Sequence, residues 1–431
     1  MTALDLARLQ FATTTAIHWL FVMVTLGLVV AVVILQTRAF FTRDAAKREL
    51  LYRMTRYWGL LYVINYAVGI ASGIVMEFQF GTNWSGLSHL VGDVFGAPLA
   101  VETLVAFVAE STFLALWIFG WERLNRGVHL ALIWLVAFTA YASAFWVLVA
   151  NGFMQDPRGY ELADGRANLT DVGALIANPN ALMAFLHVIG AGLAAGGVII
   201  VVVSSAHLFR RTAERDFYVR SFRLGFLLGL FGMTWAFGTG WAQYGVVTEN
   251  QPAKTMDALS NSTKAAEVNA LLTERFGEGD WVGGPGLFAL FLVMMMIAEL
   301  GQPFMFLMSP LVFGKLSARL WWVMPLFWLA LPLPFVAALS GWLFRELGRQ
   351  PWIVYGVQRT ADAVSDHSVS TMWTSFVVFT AIGLTLLVTN WWLIARNAVA
   401  GPNRPIFTYG GALLGPDAAV SPSTLVKDGP S

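Results

Sequence analysis

Apolar residues in this chain neither alternate nor return every third or fourth position. They come in unbroken runs of roughly twenty, separated by shorter polar stretches. Nine runs stand out, at about 11–36, 57–76, 98–120, 128–150, 181–206, 222–245, 285–308, 320–344 and 371–395. Each matches the length of α-helix that crosses a hydrocarbon core. The pattern predicts an all-α polytopic membrane protein of about nine transmembrane helices. Met1 to Gln10 carries Asp5 and Arg8, and the run that follows is too long for a signal-peptide core, so the first span is expected to be retained. Residues 1–400 form the expected transmembrane domain. The stretch 401–431 is rich in Gly, Pro, Ser and Ala with few aromatics, and reads as a disordered tail.

The polar connections set an orientation. When they are assigned alternately to two sides, 18 of the 27 Lys and Arg residues fall on one, among them Arg38, Arg123, Arg210, Lys315, Arg404 and Lys427. By the positive-inside rule that side is cytoplasmic, which puts the N-terminus outside and the C-terminus and tail inside. The expected outer connections, 77–97, 151–180, 246–284 and 345–370, are long, rich in Gly, Asn and Trp, and poor in basic charge. There is no internal repeat of the kind that marks many transporters.

Composition narrows the chemistry. The chain is 57% hydrophobic and 12% charged, with a formal net charge of +1, so it lacks the concentrated basic surface that a nucleic-acid partner requires. It has no cysteine, which removes disulfides, thiolate ligation and iron–sulfur clusters. A bound metal would rest on His, Met or carboxylate. An ionisable group inside a bilayer is a functional hypothesis by default. His18, Glu102, Glu110, His187, Met294 and Glu346 all fall at or near the expected outer end of their runs. On a regular helix Glu110 lies about 12 Å deeper than Glu102 and about 80° around from it, so the two acids border one polar path. Imidazole and thioether are iron-compatible ligands, and the set reads as a membrane redox enzyme. Glu299, beside Gln302, is deeper, and divides between a proton route from the other side and a plain helix–helix contact. His89, His129, His207 and His367 lie in loops or at span edges and read as structural. A haem-free ion transporter, with the buried acids as cation ligands, is the competing class; it predicts broken helices at the midplane and internal symmetry.

Local sequences carry a resemblance. Gly73-Ile74-Val75-Met76-Glu77-Phe78-Gln79-Phe80-Gly81-Thr82-Asn83-Trp84, Gly92 to Ala100, Trp146 to Gly152 and above all Gly348-Arg349-Gln350-Pro351-Trp352 resemble subunit I of the cytochrome bd-type quinol oxidases. The resemblance covers most of the chain from Leu6 to about Trp352. It implies the haem-bearing catalytic subunit of a bacterial plasma-membrane oxidase that oxidises quinol at the outer face and reduces O2 to water with cytoplasmic protons, building a proton gradient without pumping.

Carried over by position, the resemblance makes His187 and Met294 the axial pair of a low-spin haem b. His18 and Glu346 hold the two haems of the oxygen-reducing pair, a high-spin haem b and a haem d or third haem b. Glu102 and Glu110 are acids beside that pair, and Trp342 is an aromatic between haems. Arg349 and Arg8 pair with haem propionates. Gln251 and Lys254 belong to the quinol side, in the 246–284 loop. The implied partners are a homologous second subunit and often a small single-span peptide, in membrane lipid.

Two positions depart from the family pattern. Leu259 stands where a Glu is expected in the quinol-side loop, with Asp257 as a substitute nearby. Leu292 stands where an Arg commonly precedes the Met ligand, and Met295 and Met296 adjoin Met294, leaving its register open. The altered loop keeps in view a family paralogue with another electron donor or a redox-sensing role.

Overall fold

The structure, a computed structural model, describes residues 1–403 and 407, with backbone alone for 105–107. Most of the expected tail, with Arg404 and Lys427, lies outside the described residues. The chain opens with two long helices, α1 (Ala3–Phe41) and α2 (Ala45–Asn83), followed by α3 (Ser85–Glu102), a π-helical stretch Thr103–Glu110, and α4 (Ser111–Phe119). Next come α5 (Arg126–Gln155), a hairpin of β1 (Tyr160–Ala163) and β2 (Arg166–Leu169), the short α6 (Val172–Ile176), and the pair α7 (Pro179–Phe209) and α8 (Arg215–Asn250). The following connection folds into α9 (Met256–Ser260) and α10 (Ser262–Phe276). The remainder is α11 (Pro285–Met308), α12 (Leu316–Arg319), a 3-10 stretch Trp321–Ala330, α13 (Leu333–Leu347), a second hairpin of β3 (Trp352–Val354) and β4 (Gln358–Arg359), and α14 (Val369–Ala400).

Eight helical segments among the described residues are long and apolar enough to cross a membrane. The ninth expected run, 98–120, is helical but divided among the end of α3, the π stretch and α4. The 320–344 run is broken as well: Pro325 and Pro332 withhold amide donors, and the chain runs as 3-10 before α13 begins. The segment 77–97, expected as an outer connection, is almost wholly helical, because α2 continues to Asn83 and α3 starts at Ser85. At 39 residues α1 is about 58 Å long, well beyond the hydrocarbon thickness. Its first turn is closed by a capping box, in which the Thr2 hydroxyl accepts from the Asp5 amide and the Asp5 carboxylate accepts from the Thr2 amide.

Lipid offers no hydrophobic drive for helix association, so close backbone packing and polar contacts must supply it. Glycines bring α7 against α8: a Cβ on Gly190 would lie 2.5 Å from the Ala236 amide, and one on Gly197 2.4 Å from the Gly229 amide. Gly27 of α1 packs in the same way on Gly192 and Gly196 of α7. Polar pairs tie the rest. Asn65 of α2 donates to the Phe21 carbonyl of α1 at 2.9 Å and accepts from Asn390 of α14 at 3.1 Å. His129 receives Gln36 Nε2 at 2.9 Å, and its other nitrogen donates to the Trp117 carbonyl at 2.8 Å. His207 donates to the Ala398 carbonyl and stacks on Tyr218. Large apolar side chains such as Phe138, Leu307 and Val388 face outward, as a lipid-facing surface requires.

Candidate functional site

His187 sits on α7 with its Nδ1 2.9 Å from the Ala236 carbonyl oxygen of α8. A carbonyl can only accept, so Nδ1 carries the hydrogen and Nε2 keeps its lone pair. One turn further along α8 is Gly240, where even a methyl would come within 3.2 Å of His187 Cε1. Met294 on α11 rests against α13, where a Cβ on Gly341 would lie 2.5 Å from its sulfur. Met294 and Met295 both border the apolar cluster of Leu259, Phe291 and Phe344, Met296 is exposed, and the atoms nearest a Cβ on Gly341 all belong to Met294. Met294 is therefore the methionine whose sulfur meets the α13 glycine. Imidazole and thioether each pack against a glycine.

His18 repeats the arrangement on α1. Its Nδ1 lies 2.9 Å from Ser72 Oγ, and the Ser72 hydroxyl gives its one hydrogen to the Gly69 carbonyl at 2.7 Å. Ser72 must then accept from His18 Nδ1–H, which again leaves Nε2 free to ligate. Gly73 keeps the ring clear on the α2 side, since a Cβ there would be 3.1 Å from His18 Cε1.

Glu346, near the end of α13, accepts from Asn151 Nδ2 at 3.0 Å and Gln155 Nε2 at 3.2 Å on one oxygen. Its other oxygen pairs with Arg349 Nη2 at 2.6 Å. Each carboxylate oxygen has two lone pairs, so these bonds leave donor capacity for a metal. Trp342 is half-buried one turn earlier on α13.

The two acids of the third run do not keep the regular-helix relation. The π stretch between them widens the backbone turn, and they meet different helices. Glu102 accepts from Ser143 of α5 at 2.9 Å, whereas Glu110 is buried and accepts from Tyr62 of α2 at 3.3 Å. Glu77, at the end of α2, comes within hydrogen-bonding reach of Glu102.

Gln251 and Lys254, expected on the quinol side, are more deeply enclosed than a loop position suggests. Lys254 and Gln251 are both buried. Lys254 Nζ donates to Gln155 Oε1 at 3.1 Å and to the Arg345 carbonyl at 2.8 Å. Burial, reinforced by the Arg345 and Arg349 guanidiniums and opposed by Glu346, pushes the Lys254 ammonium well below its usual pKa. Gln251 donates to Gln155 through its Nε2, at 2.7 Å to the carbonyl and 3.1 Å to the side chain. The loop anchors on the Gly348–Trp352 segment, with Trp281 stacked on Trp352. Leu259 is buried among Leu287, Phe291 and Phe344, and Asp257 is exposed.

Arg8 is exposed near the start of α1, and Leu292 is exposed on α11, so no cation stands two residues before Met294. Glu299 is exposed, while Gln302 donates to Thr234 of α8 at 3.3 Å. Residues not singled out by sequence hold the site together: Ser72, Asn151, Gln155, Ser143, Tyr62 and Arg345. Arg345 gave a signal, being a cation directly after the 320–344 run and beside Glu346. The polar residues on α5 and α2 gave none, because their roles depend on which helices meet.

These features fit haem. Two imidazoles are fixed in the ligating tautomer, and a thioether faces a glycine. Arg345 and Arg349 each keep one buried nitrogen, Nη1, with no protein partner, as groups that pair with propionates would.

Comparison with known proteins agrees. The family model for cytochrome bd terminal oxidase subunit I matches residues 6–279 and 274–402. Cytochrome bd ubiquinol oxidase subunit 1 of Bacillus subtilis is 37% identical over 420 residues, 85% of this chain and 87% of that protein. Cytochrome bd-II ubiquinol oxidase subunit 1 of Escherichia coli is 44% identical over 253 residues, 58% of this chain and 48% of that one. The solved bd oxidase from Geobacillus thermodenitrificans shares the fold, with a TM-score of 0.81 at 22% identity over 93% of this chain and 99% of the matched chain. The chain, a helical membrane protein, belongs to the cytochrome bd terminal oxidase subunit I family.

Proposed function

We propose that this chain is the catalytic subunit of a quinol:oxygen oxidoreductase in a bacterial plasma membrane, with its N-terminus outside. The Lys and Arg distribution supports the orientation. The names of the relatives, ubiquinol oxidases, support the reaction. The observation that carries the reading is the His187 tautomer, with Nδ1 committed to Ala236 and Nε2 left free, together with the Met294 sulfur against Gly341.

In this reading His187 and Met294 hold a low-spin haem b, and His18 and Glu346 hold a high-spin haem b and a haem d or third haem b. When bound, these haems relay single electrons and provide an open iron for O2. The chain does the rest. Gln251 and Lys254 orient quinol at the outer side. Two quinols supply the four electrons that turn O2 and four protons into two waters. Glu110 and Glu102 pass those protons inward from the cytoplasmic side, Tyr62 and Ser143 holding their carboxyl groups in place. Trp342 is the aromatic that this reading sets between the haems. Opposite-side proton release and uptake separates charge without a pump. A homologous second subunit, and often a single-span peptide, completes the enzyme.

The apolar setting of Leu259 favours one second reading, a family member with a different donor. Oxygen uptake by the purified complex with ubiquinol or menaquinol tests both. Quinol-driven uptake that is lost in His187→Ala supports the oxidase. A full haem complement with no uptake on either quinol supports the other donor.

A further inference from the structure

Arg345 is the one basic residue of α13 and is buried, with 9% of its surface exposed. Its Nε donates to Asn151 Oδ1 at 2.9 Å and one Nη to the Asn180 carbonyl at 3.5 Å. Its Nη1 has no partner, and neither does either side-chain atom of the neighbouring Asn180, which is also buried. A buried guanidinium nitrogen and a buried amide left unpaired by the protein favour a polar ligand beside them.

Helical spacing says where that ligand lies. Gly341, the residue against the Met294 sulfur, is one turn before Arg345 on α13, so the two share a face with Arg345 about 6 Å further along. His187 is seven residues after Asn180 on α7, again on one face, about 10 Å apart along the axis. Arg345 and Asn180 therefore stand together over one edge of the space bounded by His187 and Met294. Around them the charge is unbalanced. The Arg345 and Arg349 guanidiniums share the single carboxylate of Glu346, which is already engaged by Arg349.

We propose that Arg345, with Asn180, binds a propionate of the haem held by His187 and Met294 and raises its midpoint potential. This rests on the haem reading above. The guanidinium is complementary to a carboxylate, and a fixed cation opposes the positive charge that oxidation places on the iron. Removing the cation makes oxidation easier and lowers the potential.

The test is a spectroelectrochemical titration of the whole complex, with haem counted as the pyridine haemochrome, in the native protein and in Arg345→Gln and Arg345→Lys. Glutamine keeps a polar partner for Asn151 and removes the charge; lysine keeps the charge. The expected result is unchanged haem content, a low-spin potential lowered in Arg345→Gln by about a tenfold change in the oxidised-to-reduced ratio, about 59 mV, and a potential close to native in Arg345→Lys. Equal potentials in the two variants would overturn the proposal and reduce Arg345 to a clamp between α13 and α5. A changed quinol KM at constant potential would also overturn it, moving the guanidinium to the substrate. Arg345→Leu, which removes both charge and polarity, must lower the potential at least as far wherever it retains haem. Absence of haem from the native complex would instead refute the functional reading.

Discussion

Gly341→Ala places a single methyl where the structure leaves least room. The new Cβ would lie 2.5 Å from Met294 Sδ, against an ordinary non-bonded separation of about 3.5–4.0 Å. Either α13 or the thioether must yield by roughly 1 Å. The thioether is the softer partner, being on an unbranched flexible side chain. Metal–ligand distances hold within about 0.2 Å, so a displacement of that size detaches an axial sulfur. The overpacking itself costs about 1–3 kcal/mol, which a folded bundle survives. The expected outcome is a complex with its haem count intact, a low-spin signal converted toward high-spin, and a lower midpoint potential, because a methionine axial ligand raises it. Met294→Leu should give the same spectrum, and Met295→Leu and Met296→Leu should not. Gly240→Ala is the milder control, its Cβ 3.2 Å from the His187 ring. A native low-spin spectrum and potential in Gly341→Ala, with haem retained, would refute the assignment of Met294 as the ligand.

Three further outcomes follow from the same geometry. Glu110→Gln keeps the shape and the Tyr62 contact but cannot ionise, so steady-state oxygen reduction should fall by about 10²-fold or more with haem content unchanged, measured as oxygen uptake beside a haem count. His129→Leu removes a bond to Gln36 and one to the Trp117 carbonyl, so thermal unfolding in detergent should show a loss of about 1–3 kcal/mol while the visible spectrum stays native. Lys254 has a folded-state pKa below its unfolded value, so the unfolded chain binds the extra proton between the two and stability rises with pH through that window. Below it Lys254 is charged in both states, and Lys254→Met should flatten the pH profile of stability, measured as thermal unfolding in detergent across pH.

The spans were legible because lipid imposes a length and a composition on every crossing helix, and runs such as 11–36 and 181–206 meet both. Where the chain departs from regular helix, as in the π stretch Thr103–Glu110, hydropathy is unchanged and the departure is silent. The regular-helix spacing expected between Glu102 and Glu110 does not allow for that stretch. The ligand candidates were legible as costly groups in apolar runs. Their supports were not: Ser72, Asn151 and Gln155 are ordinary polar residues whose work comes from helices distant in sequence. Arg345 was visible as a charge but had no evident use until α13 was seen against α7 and α5. The burial of Lys254 was likewise hidden, since a lysine in a polar connection reads as solvated until the fold closes over it.

The central claim is tested most directly by a dithionite-reduced minus air-oxidised visible spectrum of the purified complex, taken with a pyridine haemochrome count on the native protein and on His187→Ala. The account predicts b-type bands from two or three haems in the native complex, a red-shifted chlorin band if the third is haem d, and selective loss of the low-spin band in His187→Ala. A complex without haem, or an unchanged low-spin band in His187→Ala, would contradict it.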